Sequence, residues 1–190
     1  LFESPDGLII LNPRAARERI LLERVAASLE SQEIARQGLL IPPLLELPPV
    51  DASLLGDQLG FFRDLGFYIE AFGRNLFRIR EAPSWMQGCD VEAFVADLVN
   101  RIRNRGLQPA DAASARSLVA RLAAIREAPG ATPAGPEDWR TLARQLLGCA
   151  NPLLDARGRP TFIELRHPEL DRKLMLGGAG DGSEGTDDFH

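Results

Sequence analysis

The stretch that most constrains this chain is residues 7–26, where a short apolar run ends on Asn-Pro and continues as a helix. Leu8 to Leu11 is apolar and β-branched at its centre, and reads as a buried strand. Asn12 stands where an N-cap belongs. Pro13 takes the first helical position, where its missing N–H removes no hydrogen bond. Leu21, Val25 and Leu29 then repeat every four residues along one face, and the helix is predicted to end near Gly38. A strand that feeds a helix through so tight a turn is a common place for a site, because helix-start N–H groups and side chains converge there. The plainer reading is an ordinary strand–helix corner opened by a proline.

Beyond Gly38 the pattern alternates between strand and helix. Leu39 to Ile41 and Leu44 to Leu47 read as strand pieces interrupted by Pro42 and Pro43, which argues for an edge or a bent, exposed segment. Pro48, Pro49 and Asp51 mark a linker with a candidate N-cap, and Leu55, Leu59 and Phe62 form a helical face that stops at Gly66. Phe67 to Phe72 and Leu76 to Arg80 flank Gly73-Arg74-Asn75, a hairpin signal. Residues 82–86 read as a loop. Asp90 then caps the clearest amphipathic helix, with Val91, Phe94, Val95, Leu98, Val99 and Ile102 on one face and an end at Gly106.

Asp111 opens a helix with Leu118, Leu122 and Ile125 inward, ending before Pro129-Gly130. Pro136 starts another, with Trp139, Leu142 and Leu146 inward and Gly148 at its end. Thr161 to Leu165 is a strand, and Pro168 opens a last short helix through Leu174. Residues 177–190 are glycine-rich and acidic and predict a disordered tail. Phe61, Phe62, Phe67, Tyr68, Phe72 and Phe77 sit at positions consistent with core, as do Trp85 and Trp139, and no stacking platform for single strands is visible. The whole reads as α+β, with strands from the beginning, middle and end of the chain.

Composition narrows the functional classes. A hydrophobic content of 45% with 26% charged residues matches an ordinary globular protein, and 190 residues suffice for one sizeable core or two subdomains. A net charge of −5 argues against broad coating of DNA or an acidic membrane, while leaving room for a local basic patch. Cys89 and Cys149 cannot make a disulfide framework, so reduced, buried thiols and an intracellular setting are expected. No apolar run approaches membrane-spanning length, and no charged-then-apolar leader precedes the fold. A start at Leu1 without Met suggests a piece of something longer.

Four segments line up in order with one family. Residues 12–23, Asn-Pro-Arg-Ala-Ala-Arg-Glu-Arg-Ile-Leu-Leu-Glu, resemble the helix-start motif DQHAxxExxxxE of MutL C-terminal domains. Gln37-Gly38-Leu39-Leu40-Ile41-Pro42 resembles the sliding-clamp-binding motif QxLLxP of bacterial members. Residues 120–126, Ala-Arg-Leu-Ala-Ala-Ile-Arg, sit where the family has an ACKxAIK-like segment. Residues 155–161, Asp-Ala-Arg-Gly-Arg-Pro-Thr, sit where it has CPHGRPT. The resemblance covers nearly all of residues 1–176.

It implies a two-lobed α+β domain. Residues 1–42 and 107–176 would form a dimerisation subdomain, and residues 43–106 an inserted regulatory one. In nicking members, the motif Asp, His, Glu and Cys residues form a divalent metal site. The corresponding positions here are Asn12, Arg14, Glu18, Arg121, Asp155 and Arg157, of which only Glu18 keeps its type. Guanidinium groups repel a cation, and Asp155 puts a hard oxygen where a soft thiolate would stand. The resemblance is therefore to the endonuclease-deficient branch, with no catalytic residue, metal or cofactor expected.

Two readings of the arginines stay open. Arg14, Arg121 and Arg157 pair with Glu18, Glu23 and Asp155 in a structural network, since unpaired buried charge is costly. Alternatively Arg14, Arg121, Arg157 and Arg159 are candidate phosphate-binding residues for DNA near a helix start. In the clamp-like segment, Gln37 offers its amide, and Leu39, Leu40 and Pro42 offer apolar bulk to a groove. The alternative there is an edge strand whose leucines belong to the core. The implied partners are a second copy of the chain, the bacterial sliding clamp, other mismatch repair proteins such as MutS, and DNA, but no membrane; the implied location is cytoplasmic, at the nucleoid during repair. A nicking endonuclease with a rearranged site of Glu18, Glu23 and Asp155, and an unrelated α+β interaction module, are the rival functions.

Overall fold

The computed structural model describes residues 1–127 and 133–174. Strands β1 (Phe2–Ser4) and β2 (Gly7–Leu11) lead into helix α1 (Pro13–Ser31). Strands β3 (Arg36–Gly38) and β4 (Leu44–Glu46) follow, then helices α2 (Pro49–Asp57) and α3 (Leu59–Asp64). The hairpin β5 (Tyr68–Gly73) and β6 (Leu76–Pro83) ends in a 3-10 turn (Ser84–Met86). Helices α4 (Val91–Arg103), α5 (Ala112–Glu127) and α6 (Pro136–Leu147) precede strand β7 (Phe162–Arg166) and helix α7 (His167–Leu174). The fold is α+β. Pro129-Gly130, before which the fifth helix is expected to end, and the tail predicted for residues 177–190 lie outside the described residues.

The chain divides into two compact units, residues 1–12 with the chain from Phe162 onward, and residues 13–161. In the smaller, β2 is the middle strand of an antiparallel sheet ordered β1-β2-β7. A Cβ on Gly7 would stand 2.1 Å from the carbonyl oxygen of Leu165, so the close approach of β7 admits only glycine there. The sequence predicts β2 as a buried strand, and the structure corrects this. Only Gly7 and Leu11 are buried, while Ile10 lies directly opposite Ile163 and both are exposed. The sheet's apolar run is therefore partly an open surface.

In the larger unit, β6 is central. Strand β5 pairs along one edge, and β3 and β4 pair in succession along the other. Between them the chain bulges. Leu39 N–H donates to the carbonyl of Arg80 at 2.9 Å, and the carbonyl of Pro43 accepts from the N–H of Ile79, the next residue, at 3.1 Å. Residues 40–42 thus form a loop thrown outward from an otherwise continuous sheet edge. The sequence predicts strand at Leu39 to Ile41. The strand is instead Arg36–Gly38, because α1 ends at Ser31, seven residues before Gly38, with Gln32 left-handed at φ 58°.

One core runs through this unit, from Val25 and Leu29 of α1 through Leu45, Phe62, Phe67 and Ile79 to Phe94, Leu98 and Val119. Asp90 accepts from Ala93 N–H at 2.9 Å and Asp111 from Ser114 N–H at 3.2 Å, so both predicted caps form. Asp51 is no cap: α2 starts at Pro49, and the buried Asp51 carboxylate accepts from Arg103 at 2.9 Å. Residues 82–86, predicted as loop, complete β6 and make the 3-10 turn.

On α5 the deepest positions are Ala115, Val119, Ala120, Ala123 and Ala124, with Leu118 and Ile125 only half-buried. Small residues there bring α5 close to α1, the pair of helices most extensively in contact. Tyr68 and Phe72, predicted as core, are 38% and 50% exposed, and Arg78 stacks over the Phe72 ring at 4.4 Å. Cys89 and Cys149 are half-buried rather than buried.

Candidate functional site

The corner at the start of α1 is built from two pieces of the larger unit. Helical spacing puts Arg14 and Glu18 on one face, four residues apart, with Arg14 Nε 3.3 Å from Glu18 Oε1. The second piece is the loop at residues 155–159. Asp155 N–H donates to the carbonyl of Arg159 at 2.8 Å, and Gly158 N–H donates to the carbonyl of Asp155 at 3.1 Å. Gly158 takes φ 79°, a left-handed turn that strains any residue with a Cβ. Thr161, wholly buried, donates its hydroxyl to the carbonyl of Pro152 and so anchors the loop's exit.

Two carboxylates hold this loop. Asp155 Oδ1 accepts from the backbone N–H groups of Arg157 and Arg159, both at 2.8 Å, and Oδ2 takes the Arg159 guanidinium at 2.7 Å. Burial alone would raise the Asp155 pKa, but these donors outweigh it and hold the carboxyl below the usual range, while the same pairing raises that of Arg159. Glu18, with no exposed side-chain surface, has Arg157 Nε and Arg159 Nη2 each 3.4 Å from its Oε2. One buried carboxylate thus faces three guanidinium groups from two segments. Among the described residues these ion pairs set three guanidiniums against two carboxylates, and the arginine side chains stay 39–67% exposed.

One turn further along α1, a second carboxylate does related work. Glu23 accepts from the N–H groups of Ala150 and Asn151 at 2.7 and 3.1 Å, and from Arg19 at 2.9 Å. Burial opposes ionisation of Glu23, and these donors overcome it, lowering its pKa. Burial, reinforced by the Glu23 charge, pushes the Cys149 thiol up. Sequence reasoning missed this clamp on residues 150–151; the four-residue spacing of Arg19 and Glu23 was the available signal. Arg121, grouped by the sequence with the other arginines, is exposed on α5 and enters none of these ion pairs.

The oxygens of Glu18 and Asp155 are turned to guanidinium and backbone donors. Among the described residues, no group of three or more His, Cys, Asp or Glu side chains converges as a metal ligand set would. The clamp-like residues are split by the bulge. Gln37 is half-buried in β3 opposite Ala82, and Leu39 packs against the core. Leu40 and Ile41 are 98% and 85% exposed, and Pro42 is half-buried.

The chain is similar to known proteins over most of its length. A family model described as the MutL C terminal dimerisation domain matches residues 1–130. The chain belongs to the MutL C-terminal dimerisation domain family. Relatives named DNA mismatch repair protein MutL include that of Opitutus terrae, 40% identical over 92% of this chain, and that of Desulforudis audaxviator, 37% identical over 90%. The protein of the same name from Akkermansia muciniphila is 32% identical over 93%. The chain spans only 28–30% of the length of these three relatives. Membership of the MutL family removes the rival reading of an unrelated α+β module. Among the described residues no helix is long and apolar enough to cross a membrane.

Proposed function

We propose that this chain is the homodimerisation and partner-docking part of a MutL-type mismatch repair protein and that it lacks a metal-dependent nicking site. Residues 1–42 and 107–176 form the dimerising part in this reading, and residues 43–106 the regulatory insertion. The observation that carries the loss of nicking is the saturation of Glu18 and Asp155 by arginine donors, which leaves neither carboxylate free for Mn²⁺ or Mg²⁺. Ile10 and Ile163, adjacent and exposed on the smaller unit's sheet, supply apolar surface of the kind a dimer covers. Light scattering over a hundredfold dilution tests dimerisation: a persistent dimer is expected, and a clean monomer overturns it. Supercoiled DNA with Mn²⁺ tests the other half, and nicking that disappears in Glu18→Ala would restore the nuclease reading.

The bacterial sliding clamp is the docking partner this reading favours, engaged by Gln37, Leu39, Leu40 and Pro42. Support comes from the bulge, which holds Leu40 and Ile41 in water at fixed ends, so little order is lost on binding. Gln37→Ala combined with Leu40→Ala should abolish clamp binding and leave the fold intact; unfolding of that variant would return the leucines to the core. Docking to other repair proteins such as MutS belongs to the same reading. A weak DNA contact through Arg14, Arg121, Arg157 and Arg159 is favoured by the exposure of these guanidinium groups. Arg14→Ala with Arg157→Ala should then weaken DNA binding and flatten its salt dependence, and unchanged affinity across a salt series would remove it.

A further inference from the structure

The larger unit holds a cleft that shares no lining residue with the arginine corner or the bulge. Its volume is about 560 Å³, within the range of sites that enclose small ligands. Leu29, Phe61, Leu65 and Pro109 give it apolar walls, and Asp64 and Arg116 line it with opposite charges. Arg116, half-buried on α5, is its unusual member. Its Nε is buried and, among the described residues, has no hydrogen-bond partner. Asp64 lines this cleft and Glu30 lines a smaller cavity of about 130 Å³ on the other side of Arg116, yet neither forms an ion pair with it.

A guanidinium carries five donors in a rigid fork, and a buried donor without an acceptor is rare in folded proteins. Among the described residues no ion pair holds the fork. Arg116 lines the cleft, where a carboxylate can accept from its guanidinium. The site therefore has an open demand for an anion beside an apolar surface. Gln32 and Gln58, also on the lining, offer amides that match peptide backbone groups, and Asp64 offers an acceptor for a backbone N–H.

We propose that this cleft binds a short acidic peptide segment of a partner protein, with a carboxylate on Arg116 and a neighbouring aliphatic side chain against Phe61 and Leu65. The cleft's volume suits two or three residues rather than a single ion. A phosphate-bearing ligand fits less well, because Asp64 on the same lining repels a doubly charged group.

The test uses the ¹⁵N-labelled chain and the probes N-acetyl-Leu-Glu-Leu-amide and N-acetyl-Leu-Gln-Leu-amide, which differ only in the carboxylate. The readouts are the Arg116 Nε–H cross-peak and the amide peaks of Phe61 and Ala112. Saturable shifts are expected with the Glu peptide, and binding about tenfold weaker with the Gln peptide. Equal binding of the two, or no shift with the Glu peptide at about 10 mM, overturns the proposal. Acetate producing the same saturable shifts at the same concentration overturns the peptide assignment by making the apolar walls irrelevant. In Arg116→Gln the preference for the Glu peptide should vanish, and its survival would also overturn the proposal. The wild-type comparison of the two peptides decides the matter even if that variant folds poorly.

Discussion

The arginine corner and the bulge at residues 40–42 are opposite solutions for a segment anchored at both ends. In the corner, the charged groups of the 155–159 loop are tied to partners: Asp155 takes two backbone N–H groups and a guanidinium, and Glu18 gathers arginines from two segments. In the bulge, the backbone at Leu39 and Pro43 is tied to β6 while the side chains of Leu40 and Ile41 are left without protein contacts to cover them. A satisfied polar cluster rigidifies, whereas exposed apolar side chains on fixed ends are ready to bind. The difference teaches that the corner is where stability is kept and the bulge is where surface is spent.

Removing the hub of the corner should have the largest effect. Glu18→Ala deletes a carboxylate with no exposed surface, leaves a cavity and takes one partner from each of three guanidiniums, although Arg159 keeps Asp155 and their partial exposure lets water recover part of the loss. A destabilisation of about 3 kcal/mol is expected in urea unfolding. A cost near zero would mean that the corner is held by backbone turns alone, and the contrast with the bulge would fail.

Asp155 comes next, and pH reads it directly. Its folded pKa is depressed, so the folded protein binds the proton less readily than the unfolded chain does. Its contribution is therefore fully present above the usual carboxylate value of about 3.9 and disappears as pH falls through the lower folded value. Asp155→Asn should cost about 1–2 kcal/mol near neutrality. The gap between wild type and variant should narrow on acidification below about pH 4. A gap that stays constant down to about pH 2 would show that the carboxylate's charge is not what holds the loop.

How much of this was legible in the sequence differs between the two regions. The corner's ingredients could be read, because Arg14 and Glu18 lie one helical turn apart and a Gly at 158 marks a tight turn. Its closure could not, since pairing Glu18 with Arg157 and Arg159 joins positions about 140 residues apart and depends on how the 155–159 loop folds over α1. Arg121 shows the converse error: its place in a motif grouped it with the others, but the alanine face of α5 turns inward and leaves Arg121 outside. For the bulge, Pro42 and Pro43 correctly signalled a bent edge. The strand was placed three residues late, because nothing local announces that Gln32 turns left-handed and ends α1 early. Periodicity likewise placed the helices well and the exposed aromatics Tyr68 and Phe72 badly, since a strand's two faces read alike when both carry large residues.

The smallest effect on stability is also the one that sharpens the comparison most. Leu39 and Leu40 are neighbours of identical chemistry on opposite sides of the bulge's start: Leu39 packs on the core, and Leu40 is 98% exposed. Leu39→Ala should cost about 1–2 kcal/mol, since part of its side chain leaves an apolar environment, whereas Leu40→Ala should stay within about 0.5 kcal/mol. Clamp affinity should rank the same pair in reverse, with Leu40→Ala the more damaging if the bulge is the docking element. Measured by thermal unfolding and by titration with the clamp, the two substitutions separate folding from docking within two consecutive residues. If both variants lost stability and affinity in parallel, binding would depend only on an intact sheet edge, and the exposed loop would have no role of its own.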